Sequence, residues 1–178
     1  MYTWRCAVSS THSRFDLTNH SGAAANAAAQ LHRGARLNPR SDMTYYADFS
    51  LYDLIEYEKP EGFTIGWLED GYDYPVDEVS EEDLANIIDL GSLRQHRSRG
   101  WHSCTLCGEY TEHTATSMRA GITYRLGHAE IRAVSDDGVL YVAPNLIIHY
   151  IVDHLYGPPA EFIDAVRSEV RRRWPEDK

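Results

Sequence analysis

The chain has 178 residues, enough for one domain with a real core, and 43% of them are apolar. No run of about 18 apolar residues occurs, so the sequence offers no membrane span. Three cysteines in a chain of net charge −10 exclude a disulfide framework and point to a reducing cytoplasmic setting.

The charge is unevenly spread. Residues 1–42 carry five Arg against two acids, and residues 43–90 carry one Lys against fourteen acids. Residues 91–178 carry eleven of each sign. The acidic middle argues against nucleic acid on that face and leaves a solvated surface or a basic protein partner.

Residues 1–42 read as an extension to the domain. Ser21 to Gln30 is nearly low-complexity, Ala23 to Leu31 favours a short helix by propensity alone, and the segment is Arg-rich and acid-poor. A disordered extension is the plain expectation, and a true start at Met43, where composition changes, is the alternative. Cys6 carries no role in either.

From Met43 to Trp174 a single α+β domain is expected. Tyr45, Tyr46, Phe49, Leu51, Tyr52, Leu54, Ile55 and Tyr57 form an aromatic-rich lead-in, and Lys59 to Gly62 is a turn. Phe63 to Leu68 reads as a strand with Phe63, Ile65 and Trp67 on one face. Ser80, followed by acids, starts a helix whose inward stripe is Leu84, Ile87 and Ile88, ending near Gly91. Thr111 to Ser117 reads as a loop and Ile122 to Leu126 as a strand. His128 to Val134 and Val139 to Val142 form a hairpin around Ser135 to Gly138. Pro144 opens a buried helix running to Tyr156, which Gly157-Pro158-Pro159 ends. Ala160 to Trp174 is amphipathic, with Phe162, Ile163, Val166 and Val170 inward and three Arg in its last turn. The expected architecture is a small antiparallel sheet packed against two C-terminal helices, with a Cys-x-x-Cys knuckle loop.

That loop runs from Arg99 to Gly108. Cys104 and Cys107 are spaced to converge on one ion, and Gly108 lets the backbone turn beneath it. Zinc in a structural role wants about four thiolate or imidazole ligands. His149 and His154, with the four-residue gap seen in structural sites, and His102 are the candidates to complete the set; His113 and His128 are rivals. Five helical residues turn about 500°, so His149 and His154 face about 140° apart unless the helix ends or distorts near His154. Taken alone, His149 reads first as a core histidine whose tautomer Asp153 fixes, and second as a ligand. A dithiol redox pair or inert thiols are the other readings of the cysteines. The redox reading expects the pair to open a helix after a strand, and here it follows a polar loop.

Two functional classes follow. One is a zinc-stabilised protein-binding or regulatory module whose contact face is the acidic segment 69–89 with Tyr72 and Tyr74. The other is a metal-dependent hydrolase with Glu130 or Asp153 as base. No deaminase, Walker, nucleophile-elbow or dinucleotide motif is present.

Three segments, Arg99 to Cys107, Leu126 to Arg132 and Tyr141 to Phe162, together resemble a family of small bacterial proteins of unknown function. The resemblance spans roughly Phe63 to Val166. It implies one domain there and no activity.

Overall fold

The computed structural model describes residues 45–52 and 62–175. The expectations for residues 1–42, for Leu54, Ile55 and Tyr57, and for most of the turn at Lys59 lie outside the described residues.

The elements run β1 (Phe63–Thr64), α1 (Glu81–Gly91), β2 (Thr114–Ser117), β3 (Ile122–Arg125), β4 (Glu130–Val134), β5 (Leu140–Pro144), α2 (Ile147–His154) and α3 (Ala160–Arg173). The fold is α+β, with two of its helices at the C-terminal end. β5 is central in a three-stranded sheet, parallel to β1 and antiparallel to β4, while β2 and β3 pair separately as an antiparallel ribbon. The parallel β1 makes the main sheet mixed. Single bridges cover its edges: Leu51 pairs with Phe63, and Gln95 pairs with Glu130.

The β4–β5 hairpin forms where the sequence places it. Ser135 N–H donates to the Val139 carbonyl at 2.8 Å, closing the turn. The sheet's two faces bury different clusters. Ile131, Ala133, Tyr141 and Ala143 belong to the main core with Ile87, Leu90, Ile147, Tyr150, Phe162 and Val166. Val142 faces the other way, onto Tyr52 and Trp67. Each fully buried aliphatic or aromatic side chain contributes roughly 1.5–3 kcal/mol, so these clusters drive folding.

Several boundaries differ from expectation, each for a local reason. The strand at Phe63 stops after two residues, and Gly66 beyond it leaves the extended conformation (φ +67). Ile65 then joins the main core and Trp67 the smaller cluster, so they do not share a face. Thr114 to Ser117 is a strand, not a loop: Ala115 and Ser117 are buried and Thr114 and Thr116 exposed. Pro144 ends β5 instead of opening α2. It pairs with Glu130, whose N–H donates to Gln95, so this pair makes no ladder bond that a proline could break. α2 is shorter than expected because Leu155 adopts a left-handed cap (φ 56) directly after His154.

α1 begins as its sequence dictates. The Ser80 side chain accepts from Asp83 N–H, and Glu81, Glu82 and Asp83 fill the first turn. Of the expected stripe, Ile87 is buried and Leu84 and Ile88 pack partly against the core. Among the described residues no helix is long and apolar enough to cross a membrane.

Asp83 and Asp89 are buried, so the acidic segment is not uniformly a surface. The Arg167 guanidinium grips both Asp83 carboxylate oxygens at 2.7 and 2.8 Å and ties α1 to α3. This pairing, aided by the Ser80 hydroxyl and opposed by burial, holds the Asp83 carboxyl below the usual carboxylate range. A depressed folded-state pKa adds stability above the unfolded value of about 3.9 and loses it as pH falls through the folded value. Asp83→Asn therefore lowers the urea midpoint near neutral pH, and its deficit against the native chain narrows below about pH 4; a deficit constant from about pH 7 to about pH 3 contradicts the assignment.

Candidate metal centre

The knuckle residues turn tightly, with Gly108 N–H donating to Thr105 O at 3.3 Å and Gly108 at φ +69, a conformation that side chains disfavour. The N–H groups of Leu106 and Cys107 point at the Cys104 sulfur and favour its thiolate form. Cys104 is buried in the main core, and Cys107 packs partly against it. α2 presents His149 and His154 to this turn. The helix ends at His154, which meets the condition that their five-residue spacing imposed.

The four side chains come together. Cys104 Sγ lies 3.3 Å from His154 Nε2. Cys107 Sγ lies 3.3 Å from both His149 Nε2 and His154 Nε2. The two Nε2 atoms are 3.2 Å apart. One donor atom from each of the four lies within 4.8 Å of all the others. A tetrahedral ion with bonds of about 2.3 Å to sulfur and 2.0–2.1 Å to nitrogen has S···N edges of about 3.6 Å and an N···N edge of about 3.3 Å. The donor set is therefore able to hold a metal ion.

Electrostatics fit the same arrangement. Burial, with the neighbouring Cys107 thiol adding, pushes the Cys104 thiol up to about 12. Burial, with His113 close by, pushes His149 down to about 4, so its imidazole is neutral at pH 7. A neutral imidazole is the ligand form, and a cation among the sulfurs would oppose the burial cost of the thiolates. His149 Nδ1 bonds Asp153 Oδ2 at 2.5 Å, leaving Nε2 for the cluster. An outer carboxylate of this kind fixes the tautomer and ring angle of a metal-binding histidine.

The other candidates lie elsewhere. His102 stays outside the four-residue group; its N–H donates to Gly127 O at 2.6 Å. His128 packs against Trp101, with ring centres 3.9 Å apart and planes tilted by 36°. His113 stacks on His149 at 3.5 Å and groups with His149 and Asp153. Glu130 is buried on the sheet face opposite Ile131, alongside Tyr52, and its oxygens accept from Tyr52 and Arg132.

Reasoning from sequence missed Asn145. Fully buried before α2, it accepts the Gly127 N–H on Oδ1 at 2.7 Å, while its own N–H donates to Ala129 O at 2.8 Å. Gly127 in turn holds the loop at His102. A lone Asn after a strand gives no periodic signal; the Pro-Asn pair before an apolar run was the only hint.

A family described as "Domain of unknown function (DUF7919)" matches residues 44–167, and the chain belongs to it. All four clustered residues fall inside that span. No curated protein and no solved structure matches the chain.

The close approach at Gly127 sets the position of the knuckle. At φ +90, a β-carbon there would lie 2.2 Å from the His102 carbonyl oxygen. Gly71 has a similar φ of +88 with open space around it. Gly71→Ala should cost only the conformational strain, on the order of 1–3 kcal/mol. Gly127→Ala should cost clearly more in denaturant titrations, and equal losses would show that the loop moves freely.

Proposed function

We propose that Cys104, Cys107, His149 and His154 bind one structural zinc ion, and that the ion clamps the knuckle loop to α2 in a non-enzymatic, protein-binding or regulatory domain. The observation that carries the reading is the near-tetrahedral spacing of two sulfurs and two imidazole nitrogens. Zinc fits because mixed thiolate–imidazole sets of four close its coordination sphere in structural sites. A hydrolase needs an open position and a nearby free base. Four protein donors leave no open position, Glu130 lies across the sheet, and Asp153 is engaged by His149.

The partner face would be the acidic segment beside the knuckle. Asp70 N–H donates to the Thr105 hydroxyl at 2.9 Å, and Glu69, Asp70 and Glu109 border a cleft at Cys104. Tyr72 is exposed and stacked on Tyr45, whereas Tyr74 packs against the core and drops out of the contact face. A basic partner docked here should dissociate more readily as salt rises, since charges beyond about 10 Å are screened at 0.1 M. Affinity flat across the salt range contradicts this face.

Structural zinc contributes an apparent free energy of about 10–16 kcal/mol in small peptides, comparable to or larger than a domain's whole stability of roughly 5–15 kcal/mol. Purified protein should carry one zinc per chain. Cys104→Ser, Cys107→Ser, His149→Ala and His154→Ala should each lower metal content and melting midpoint together, while His102→Ala should leave the metal in place. Protein purified under reducing conditions without stoichiometric metal, and with a melting curve that a chelator leaves unmoved, sinks the reading.

A further inference from the structure

Among the described residues there are ten arginines, and seven meet carboxylates. Arg119 pairs with Asp89, Arg125 with Glu112, Arg132 with Glu130 and Arg167 with Asp83. Arg171, Arg172 and Arg173 reach Asp136 and Glu169. The three that meet no carboxylate among the described residues, Arg94, Arg97 and Arg99, are all exposed and fall within six residues. No acid occurs anywhere from Leu90 to Gly108 in a chain that carries 27 acids.

This segment is sewn to the outer edge of β4. Gln95 O accepts from Glu130 N at 2.8 Å, His128 O accepts from Ser98 N at 2.8 Å, and Gly127 O accepts from His102 N at 2.6 Å. The seam sets the arginine loop beside Arg125 and His128. The Arg125 guanidinium lies 3.9 Å from the Trp101 ring centre, and Trp101 packs against His128. Burial lowers the His128 pKa, and the charges of Arg94, Arg97 and Arg125 lower it further. Arg94 (φ 48) and His96 (φ 43) are held in the left-handed region, a costly conformation for residues with side chains.

We infer that Arg94, Arg97 and His128 form a binding site for a compact phosphate dianion, either free phosphate or a phosphomonoester, with Arg125 at its rim, held there by Glu112 and Trp101. Arg94 and Arg97 carry like charges that meet no carboxylate among the described residues, and an anion beside them removes the cost of their repulsion. Guanidinium forks match phosphate oxygens in geometry as well as charge. A polyanion fits poorly: the same domain carries the acidic segment, and the net charge of −10 repels a long phosphate backbone. This site shares no residue with the metal cluster.

The test is calorimetry on the full chain as purified at constant ionic strength, with three probes: inorganic phosphate, phenyl phosphate and a single-stranded oligonucleotide. Phosphate or phenyl phosphate should bind saturably, the tighter of the two identifying the source. Arg94→Ala/Arg97→Ala should weaken that binding by about tenfold or more, with zinc content unchanged. Arg171→Ala on α3 should leave it intact. No saturable binding of either phosphate, or binding that survives the double substitution, overturns the site. An oligonucleotide that binds where the small phosphates do not overturns the compact-anion assignment. Zinc measured on the same samples keeps failure here distinct from failure of the metal reading.

Discussion

A single buried amide holds the arrangement together. Asn145 sits between the sheet and α2 and receives the Gly127 N–H. Gly127 receives the N–H of His102, and two residues later the chain reaches Cys104. One short relay thus fixes the helix that carries the imidazoles relative to the loop that carries the thiols. Because Asn145 is fully buried, losing its side chain would strand polar groups away from water as well as freeing the loop. The donor geometry follows from this frame, and the ligand atoms of Cys104, Cys107, His149 and His154 lie within 4.8 Å of one another.

Much of this was readable from the residues. The β4–β5 hairpin, the Ser80 cap and the amphipathic α3 each rest on local chemistry, and local chemistry is what a sequence states directly. The knuckle and the two helix histidines were legible as spacing. Their meeting was not, because whether His149 and His154 could share a site turned on where α2 stops. That depended on the left-handed turn at Leu155, a non-glycine residue that does not announce it. β2 was missed because Thr-Ala-Thr-Ser alternates in burial without alternating strongly in polarity, although its threonines favour strands. The segment before the knuckle was read as a polar connection, and its place on the edge of β4 depends on long-range backbone pairing that no short pattern encodes.

Charge is partitioned with the architecture. The exposed part of the acidic segment borders the knuckle, where Asp70 is tied to Thr105. The unpaired arginines lie on the strand edge beyond it, tied to His128. Elsewhere most described charges are consumed in structural pairs, such as the Glu169 carboxylate, which takes both Arg172 and Arg173.

The thiol–imidazole contacts join residues 42 to 50 positions apart. All of β2, β3, β4 and β5 lies between the two halves of the cluster. Closing a loop of that length costs chain entropy that grows only slowly with length but must be met before the contact rewards it. The intervening ribbon and hairpin are local structures, and forming them first shortens the effective loop. On this ground the cluster is expected to form late, after the sheets, and to slow unfolding more than it speeds folding.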